Sequence, residues 1–501
     1  MRTARLALAF SCIPLIANAA FPELSAPHLG ELREFRTPNY TLVTQDAGTA
    51  KLLATELASM DGLLAHLLEV EPLASGKPTI IYVMRADTWH ALLDRRSGAM
   101  FLPQRFANYI LAHDHQRGSP LRSVICSEYT RLFLHAQFRG QYPFWLEEGL
   151  AGVMLSSNVR QGSASIIHPR RYNWDNPNLT TFVFSTDQPL PSEIPLRQVM
   201  KANAATLSKL EPPLVAEYNL LARLMVYRGL AADSARRMQT LRYLKSYDPR
   251  ASLEAAVQAG FGMSVEQLEQ AMSKTPRKQA SATKFSFSAV PPAKLEKPVV
   301  LDELDAIRTL ARALLESPDD AAALDRLLEQ ATSLSPGSTA VRTLRLVRFA
   351  QTRNDASLLA ELHALEPDLK DAEVARDVGL ALTERIREAE GPPEIRERAF
   401  ALLDQSLGKK PDDAAAAWAF GLVAAQLKRE LSLAEKRLRH AEELVPRSPD
   451  LAVAKAFVYA AMGQRELTLS SLNAVARYSR HPAQQAWART RLEAMSDGAA
   501  P

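Results

Sequence analysis

Two short stretches carry the side chains best suited to chemistry: VICSEYTRLFLH at residues 124–135 and PFWLEEGLAG at residues 143–152. Glu128 in the first and Glu148 in the second could work as a carboxylate pair, one giving and one taking a proton. Arg131 adds a planar guanidinium that can grip a carboxylate through two parallel hydrogen bonds. Ser127 and Arg131 are four residues apart, so on a helix they share one face, with Glu128 beside the first of them. The blander alternative is a solvated helical turn, in which Glu128 and Arg131 form a surface pair worth little.

Other groups offer weaker chemistry. His113-Asp114-His115 follows a strand-like run, and His135 lies one turn beyond Arg131. Alternate side chains on a strand share a face, so His113 and His115 could ligate a metal together, although a polar loop suits them better. Ser127 as a nucleophile with a histidine base lacks any adjacent strand-to-helix elbow. Tyr129, Trp145 and the FLPQRF segment at residues 101–106 either pack in the core or line a cleft beside Glu128, Glu147 and Glu148.

SEYTR followed by PFWLEEGLAG resembles the H-E-Y-T-H and P-x-W-L-N-E-G-L-A motifs of the MA-like gluzincin metallopeptidases. In that family the two histidines and the Glu of the second motif hold zinc. The resemblance places Ser127 and Arg131 at the histidine positions, Glu128 at the general-base position and Glu148 at the third-ligand position. Glu147 stands where the family has Asn. FGMSVEQLEQAM at residues 261–272 resembles the segment that closes the family's peptidase domain, and a tetratricopeptide tail after that domain is common there. Here, however, the site departs from the pattern. A serine hydroxyl is a poor zinc ligand and a guanidinium cannot be one, so no zinc or other cofactor is expected. Arg131 is expected to take the place of the ion's charge and pair with the carboxylates.

The elements that would position these residues follow from periodicity. NYTLVT at residues 39–44 and TIIYVM at 79–84 read as strands, and FANYILA at 106–112 as a third. Between the first two, apolar residues recur at three and four from Ala47 to Val70, which predicts a long helix. Ser119 followed by Pro120 predicts a helix start that runs to about Phe138, and Pro143 a break before a second helix. Residues 21–37 read as an unstructured lead-in, and 160–215 as loops with short helices. Helical pattern resumes from Glu217 to about Met272. The fold class expected is an α+β zincin-like N-terminal domain over 35–275, a linker over 276–298 and all-α helical repeats over 299–495.

Beyond Val299 strands disappear, and Pro336, Pro367, Pro411 and Pro446 punctuate helical units. In residues 415–446, Trp418, Ala434, Ala441 and Pro446 fall at tetratricopeptide spacings, with Gly421 one place off. An irregular helical bundle is the alternative.

The ends and the composition bound the setting. Residues 1–20, MRTARLALAFSCIPLIANAA, read as a secretory signal: Arg2 and Arg5, an apolar run from Leu6 to Ile16, then Ala17-Asn18-Ala19 for cleavage. A retained membrane anchor is the competing reading. Removal of the signal lowers the formal charge from +4 to +2, which leaves no electrostatic footprint for nucleic acid. Cys126 is then the one cysteine left, so no intramolecular disulfide can form. No later stretch is apolar enough to insert stably in a membrane. The sequence therefore predicts a periplasmic or secreted, non-catalytic peptidase-like protein that binds a protein or peptide through its repeats and a relic cleft. An active peptidase with unusual ligands, or with Glu128 and Glu148 as a carboxylate pair, is the alternative.

Overall fold

The computed structural model describes residues 29, 31–73, 77–93, 98–114, 121–138, 142–168, 194–207, 209–248, 251–273, 282–317, 320–387, 392–446, 448–479 and 482–496. Residues 1–20, read from the sequence as a signal, His115 and the expected helix start at Ser119–Pro120 lie outside them.

The first half is built on a sheet. β1 (Arg33–Arg36) and β2 (Thr41–Thr44) precede the long helix α1 (Ala47–Leu68), then come β3 (Thr79–Arg85), α2 (Ala86–Leu92), β4 (Ala99–Pro103) and β5 (Asn108–Asp114). The six-stranded order is β4-β5-β3-β2-β1 followed by a late strand, β9 (Val299–Val300). β2, β3 and β5 run parallel, and the edge strands pair antiparallel. α1 starts where the Asp46 side chain accepts from the Thr49 amide, and it stops at Glu69, whose φ of 51° is left-handed.

Strand alternation assigns the two faces. Leu42, Ile81, Val83, Ile110 and Ala112 point toward α1 and α3 (Leu121–Phe138). Val43, Tyr82, Met84, Tyr109 and Leu111 point the other way, onto α2 and the first helices of the repeats. Both faces are thus dry, which explains why β3 and β5 are continuous apolar runs.

The strand expected over 106–112 begins two residues later, because Phe106 and Ala107 belong to the β4–β5 turn. β4 itself, within the FLPQRF region, was legible only as a set of aromatics. β1 corrects the unstructured reading of the lead-in: it is held between β2 and β9.

After α3 come α4 (Phe144–Leu155), a hairpin of β6 (Ser157–Arg160) and β7 (Ser163–Ile167), and helices α5 (Leu196–Lys201), α6 (Ala204–Leu207) and α7 (Pro212–Val226). α7 widens into a π-helical turn over Tyr227–Ala232 and is followed by α8 (Ser234–Ser246), α9 (Leu253–Phe261) and α10 (Val265–Ser273). The hairpin was expected to be loop from residue 160 on. It turns at Gly162, whose φ of 73° needs glycine, and Asn158 to Arg160 pair with Ser163 to Ser165.

The linker expected over 276–298 contains a strand. β8 (Ala282–Ser286) adds to the hairpin as a third strand, and the chain then runs extended to β9. Phe285, Phe287, Ala293 and Leu295 press on the first core along the way. The Phe287 ring lies so close to Gly62 of α1 that a Cβ there would come within 2.8 Å of it.

The second half is an array of helical hairpins. They are α11 (Glu303–Leu314) with α12 (Ala321–Leu334), α13 (Thr339–Gln351) with α14 (Asp355–Leu365), and α15 (Ala372–Arg387) with α16 (Pro393–Lys409). α17 (Ala414–Leu427) pairs with α18 (Leu431–Leu444), and α19 (Pro449–Ala461) with α20 (Arg465–Tyr478), before the closing α21 (Pro482–Ser496). Pro336, Pro367, Pro411 and Pro446 each lie in the turn after a second helix, as the punctuation predicts. Gly379 and Gly421 let the two helices of their hairpins close up: a Cβ at either would lie 2.7 Å from Leu403 or Leu438.

Each first helix packs on the first helix of the next hairpin, from α11 through α13, α15 and α17 to α19. Among the described residues, the second helices do not pack closely on one another. The array therefore curves, with the first helices as its inner row. Ile307, Leu310, Ala311 and Leu314 of α11 cover the second face of the sheet, so the two halves share a core.

Candidate functional site: an arginine among three glutamates

α3 and α4 pack side by side, and β4 runs along α3. This brings the two stretches together. Arg131 Nη1 lies 2.6 Å from Glu128 Oε1, and Arg131 Nη2 donates to both Glu148 oxygens at 3.1 Å. Glu147 Oε1 is 3.8 Å from Arg131 Nε. Ser127 points its hydroxyl at Glu128 Oε1 (3.0 Å), and the Phe101 amide donates to Glu128 Oε2 at 2.9 Å. Both oxygens of Glu128 are therefore engaged. The surface-pair alternative does not hold: the Arg131 side chain is 22% exposed and that of Glu128 is 11% exposed.

Opposing effects set the charges here. Burial pushes the Glu128 carboxyl up, and the Glu148 charge adds to this. Arg131, the Ser127 hydroxyl and the Phe101 amide pull it down, without cancelling the burial. For Arg131, burial disfavours the charge, but the surrounding Glu128, Glu148 and Glu147 raise its affinity for the proton well above the usual value. The guanidinium thus stays charged.

Several placements differ from the sequence reading. Tyr129 and Trp145, for which core and cleft were both open, are core residues and not cleft residues. Tyr129 is fully buried and donates to Asp61 Oδ1 of α1 at 2.7 Å; Trp145 packs against Tyr243 of α8. Helical phase explains this: each lies next to a site residue in sequence and so projects from a different side of its helix. His113 sits on the α2 face of the sheet against Trp89 and His90, whereas His135 sits on the α3 face against Phe101. The sheet separates them, so they form no common site. Cys126 is buried, as expected of a small apolar residue.

Other contributors were not legible in the motif. The Phe101 amide reaches Glu128 only because β4 forms. Asp61 looks like one more polar residue of an amphipathic helix. Tyr218 of α7 is buried near Glu148 and Glu147, whose charges, after burial itself, push its hydroxyl up. Gly149 places α7 there: a Cβ at residue 149 would lie 2.4 Å from the Ala222 carbonyl oxygen. The first glycine of EEGLAG thus serves a helix crossing.

The donor set does not fit zinc. Ser127 donates toward Glu128, and the Arg131 guanidinium, which cannot ligate a metal, lies between the Glu128 and Glu148 carboxylates. No group of three or more His, Cys, Asp or Glu is arranged to hold a metal among the described residues. Nor is any described helix long and apolar enough to cross a membrane.

No known protein family and no curated protein matches this chain. Among solved structures, a mutant of MamA is similar over 34% of this chain and 95% of its own, at 18% identity and a TM-score of 0.26. PilF of Pseudomonas aeruginosa is similar over 39% of this chain and 84% of its own, at 19% identity and a TM-score of 0.30. Likeness at this level carries no argument about activity, and the helical-repeat description rests on the stacking of α11 to α20.

Proposed function

We propose that this is an exported, non-catalytic protein that binds a protein partner through a tetratricopeptide-like array, joined to a gluzincin-like domain that no longer uses zinc. The observation that carries the reading is the position of Arg131. It supplies a fixed positive charge between Glu128 and Glu148, where a peptidase would need a dication with an open coordination position. Glu128 Oε1 accepts from both Arg131 and Ser127, and Oε2 accepts from the Phe101 amide, so most of its acceptor capacity is committed to the protein. The curved inner row of the repeats supplies the surface for a partner. The leader at residues 1–20 supports export to the periplasm or beyond.

The test is elemental analysis of the purified protein beside a double variant, Ser127→His with Arg131→His, together with hydrolysis of a peptide library. The expected result is no zinc and no hydrolysis in the natural protein, and one zinc per chain in the variant. Tight zinc in the natural protein, or hydrolysis abolished by Glu128→Gln, overturns the reading.

A further inference from the structure

The β4–β5 turn leaves the sheet and enters the inner row of the repeats. Gln104 Nε2 donates to the carbonyls of Arg312 and Ala313 at 2.8 and 2.7 Å, two acceptors in the last turn of α11. The Arg105 amide donates to Glu316 Oε2 at 3.0 Å. The Arg105 guanidinium pairs with Glu384 of α15, lies 3.3 Å from Asp450 of α19, and stands 4.0 Å above the Trp418 ring of α17. Phe106 meets the same indole at 5.9 Å between ring centroids. Four first helices thus converge on three consecutive residues. Little of this is needed to close a strand turn, since four residues joining antiparallel strands require no outside anchor.

The arrangement has the parts of a receptor for arginine. An aromatic face and carboxylates on several sides suit a weakly hydrated planar cation better than an ammonium. The Arg105 side chain is 13% exposed, so the site is largely desolvated. Beside Phe106 a cleft of about 730 Å³ opens between Pro78 and the α16–α17 turn, bordered by Arg376, Lys410, Asp412 and Asp413. It offers room and mixed charge for more peptide than the turn itself supplies.

We propose that Gln104, Arg105 and Phe106 are an internal ligand in the peptide site of the repeats, and that the partner presents an extended segment with an arginine followed by an aromatic residue, which displaces them. This rests on the reading of the repeats as a binding surface and names the chemistry that surface takes. Tethering explains how the site stays closed: a short link holds its own segment at roughly millimolar effective concentration, so a free peptide must outcompete it.

The test uses the full chain and a labelled peptide of sequence LPQRFA, which is residues 102–107. Binding is measured to the natural protein and to a variant opened by Arg105→Ser with Phe106→Ser. The opened variant should bind about 100-fold more tightly than the natural protein. Replacing the peptide's arginine by citrulline, or adding Trp418→Leu to the opened variant, should abolish binding. If the double substitution impairs folding by circular dichroism, Arg105→Lys alone keeps the charge, loses the planar fork, and should show a smaller gain. A folded opened variant that binds no better than the natural protein, or binds the citrulline peptide equally, overturns the proposal. Neither result bears on zinc or hydrolysis, so the reading of the first site stands or falls separately.

Discussion

Arg131 and Glu148 come from different helices and meet with one guanidinium nitrogen 3.1 Å from both carboxylate oxygens. A second nitrogen of the same group holds Glu128 at 2.6 Å. The two contacts are not equivalent, because Arg131 serves several acids while each acid leans on Arg131.

Arg131→Ala is therefore expected to destabilise the protein more than Glu128→Ala. Removing one member of a buried pair costs about 3–5 kcal/mol, and partial exposure here lowers the expectation to about 2–3 kcal/mol. Glu128→Ala leaves the contact with Glu148 intact and should cost about half as much. Urea unfolding of both variants decides it; equal, small losses would remove Arg131 from its central role.

Asp61 predicts a pH dependence. Burial raises its carboxyl to about 7, against the pull of the Tyr129 hydroxyl and the Leu73 amide. The folded state then holds a proton that the unfolded state has released. Stability from this group is complete below the usual carboxylate range and is lost as pH rises through about 7. Unfolding free energies measured from pH 5 to pH 8 should fall less steeply in Asp61→Asn than in the natural protein. Tyr129→Phe should move the fall to higher pH, since the ionised carboxylate loses its donor. Identical slopes in all three proteins would contradict the assignment.

Gly149→Ala should be costly although helices usually favour alanine. The new methyl would meet the Ala222 carbonyl and Val226, forcing α4 and α7 apart. Overpacking of this kind costs about 1–3 kcal/mol. A melting temperature equal to that of the natural protein would show that the crossing can relax.

A chain ending at residue 298 should not behave as an independent domain. It would expose Tyr82, Met84 and Leu111, which Ile307, Leu310 and Leu314 cover in the full chain. Apolar surface of that size drives association. A soluble, monomeric fragment by light scattering would argue that the two halves are separable.

Legibility in the sequence followed the range of the forces involved. β2, β3 and α1 could be read because NYTLVT, TIIYVM and the leucine spacing from Leu52 to Leu68 carry their own period. α3 was legible from the Ser119–Pro120 start signal, which itself lies outside the described residues, and α4 from the break at Pro143. β1, β8 and β9 were not, because short, half-exposed strands exist only through partners far away in the chain, such as Val300 opposite Arg33. At the site, the spacing of Ser127, Glu128 and Arg131 suggested one face of a helix, and Glu147 and Glu148 came from the second motif. The Phe101 amide and Asp61 had no local signal. Arg105 had none either: its partners Glu384, Trp418 and Asp450 lie hundreds of residues later.

The shared core also dictates an order of events during synthesis. A ribosome delivers the chain from its N-terminus, so β1 to β5 emerge long before Ile307 and Leu310 can cover them. Through that interval one face of a strongly apolar sheet has no native cover and the outer edge of β1 no partner strand, conditions that favour aggregation. The sheet can therefore reach its native, dry state only once α11 is available to cover that face.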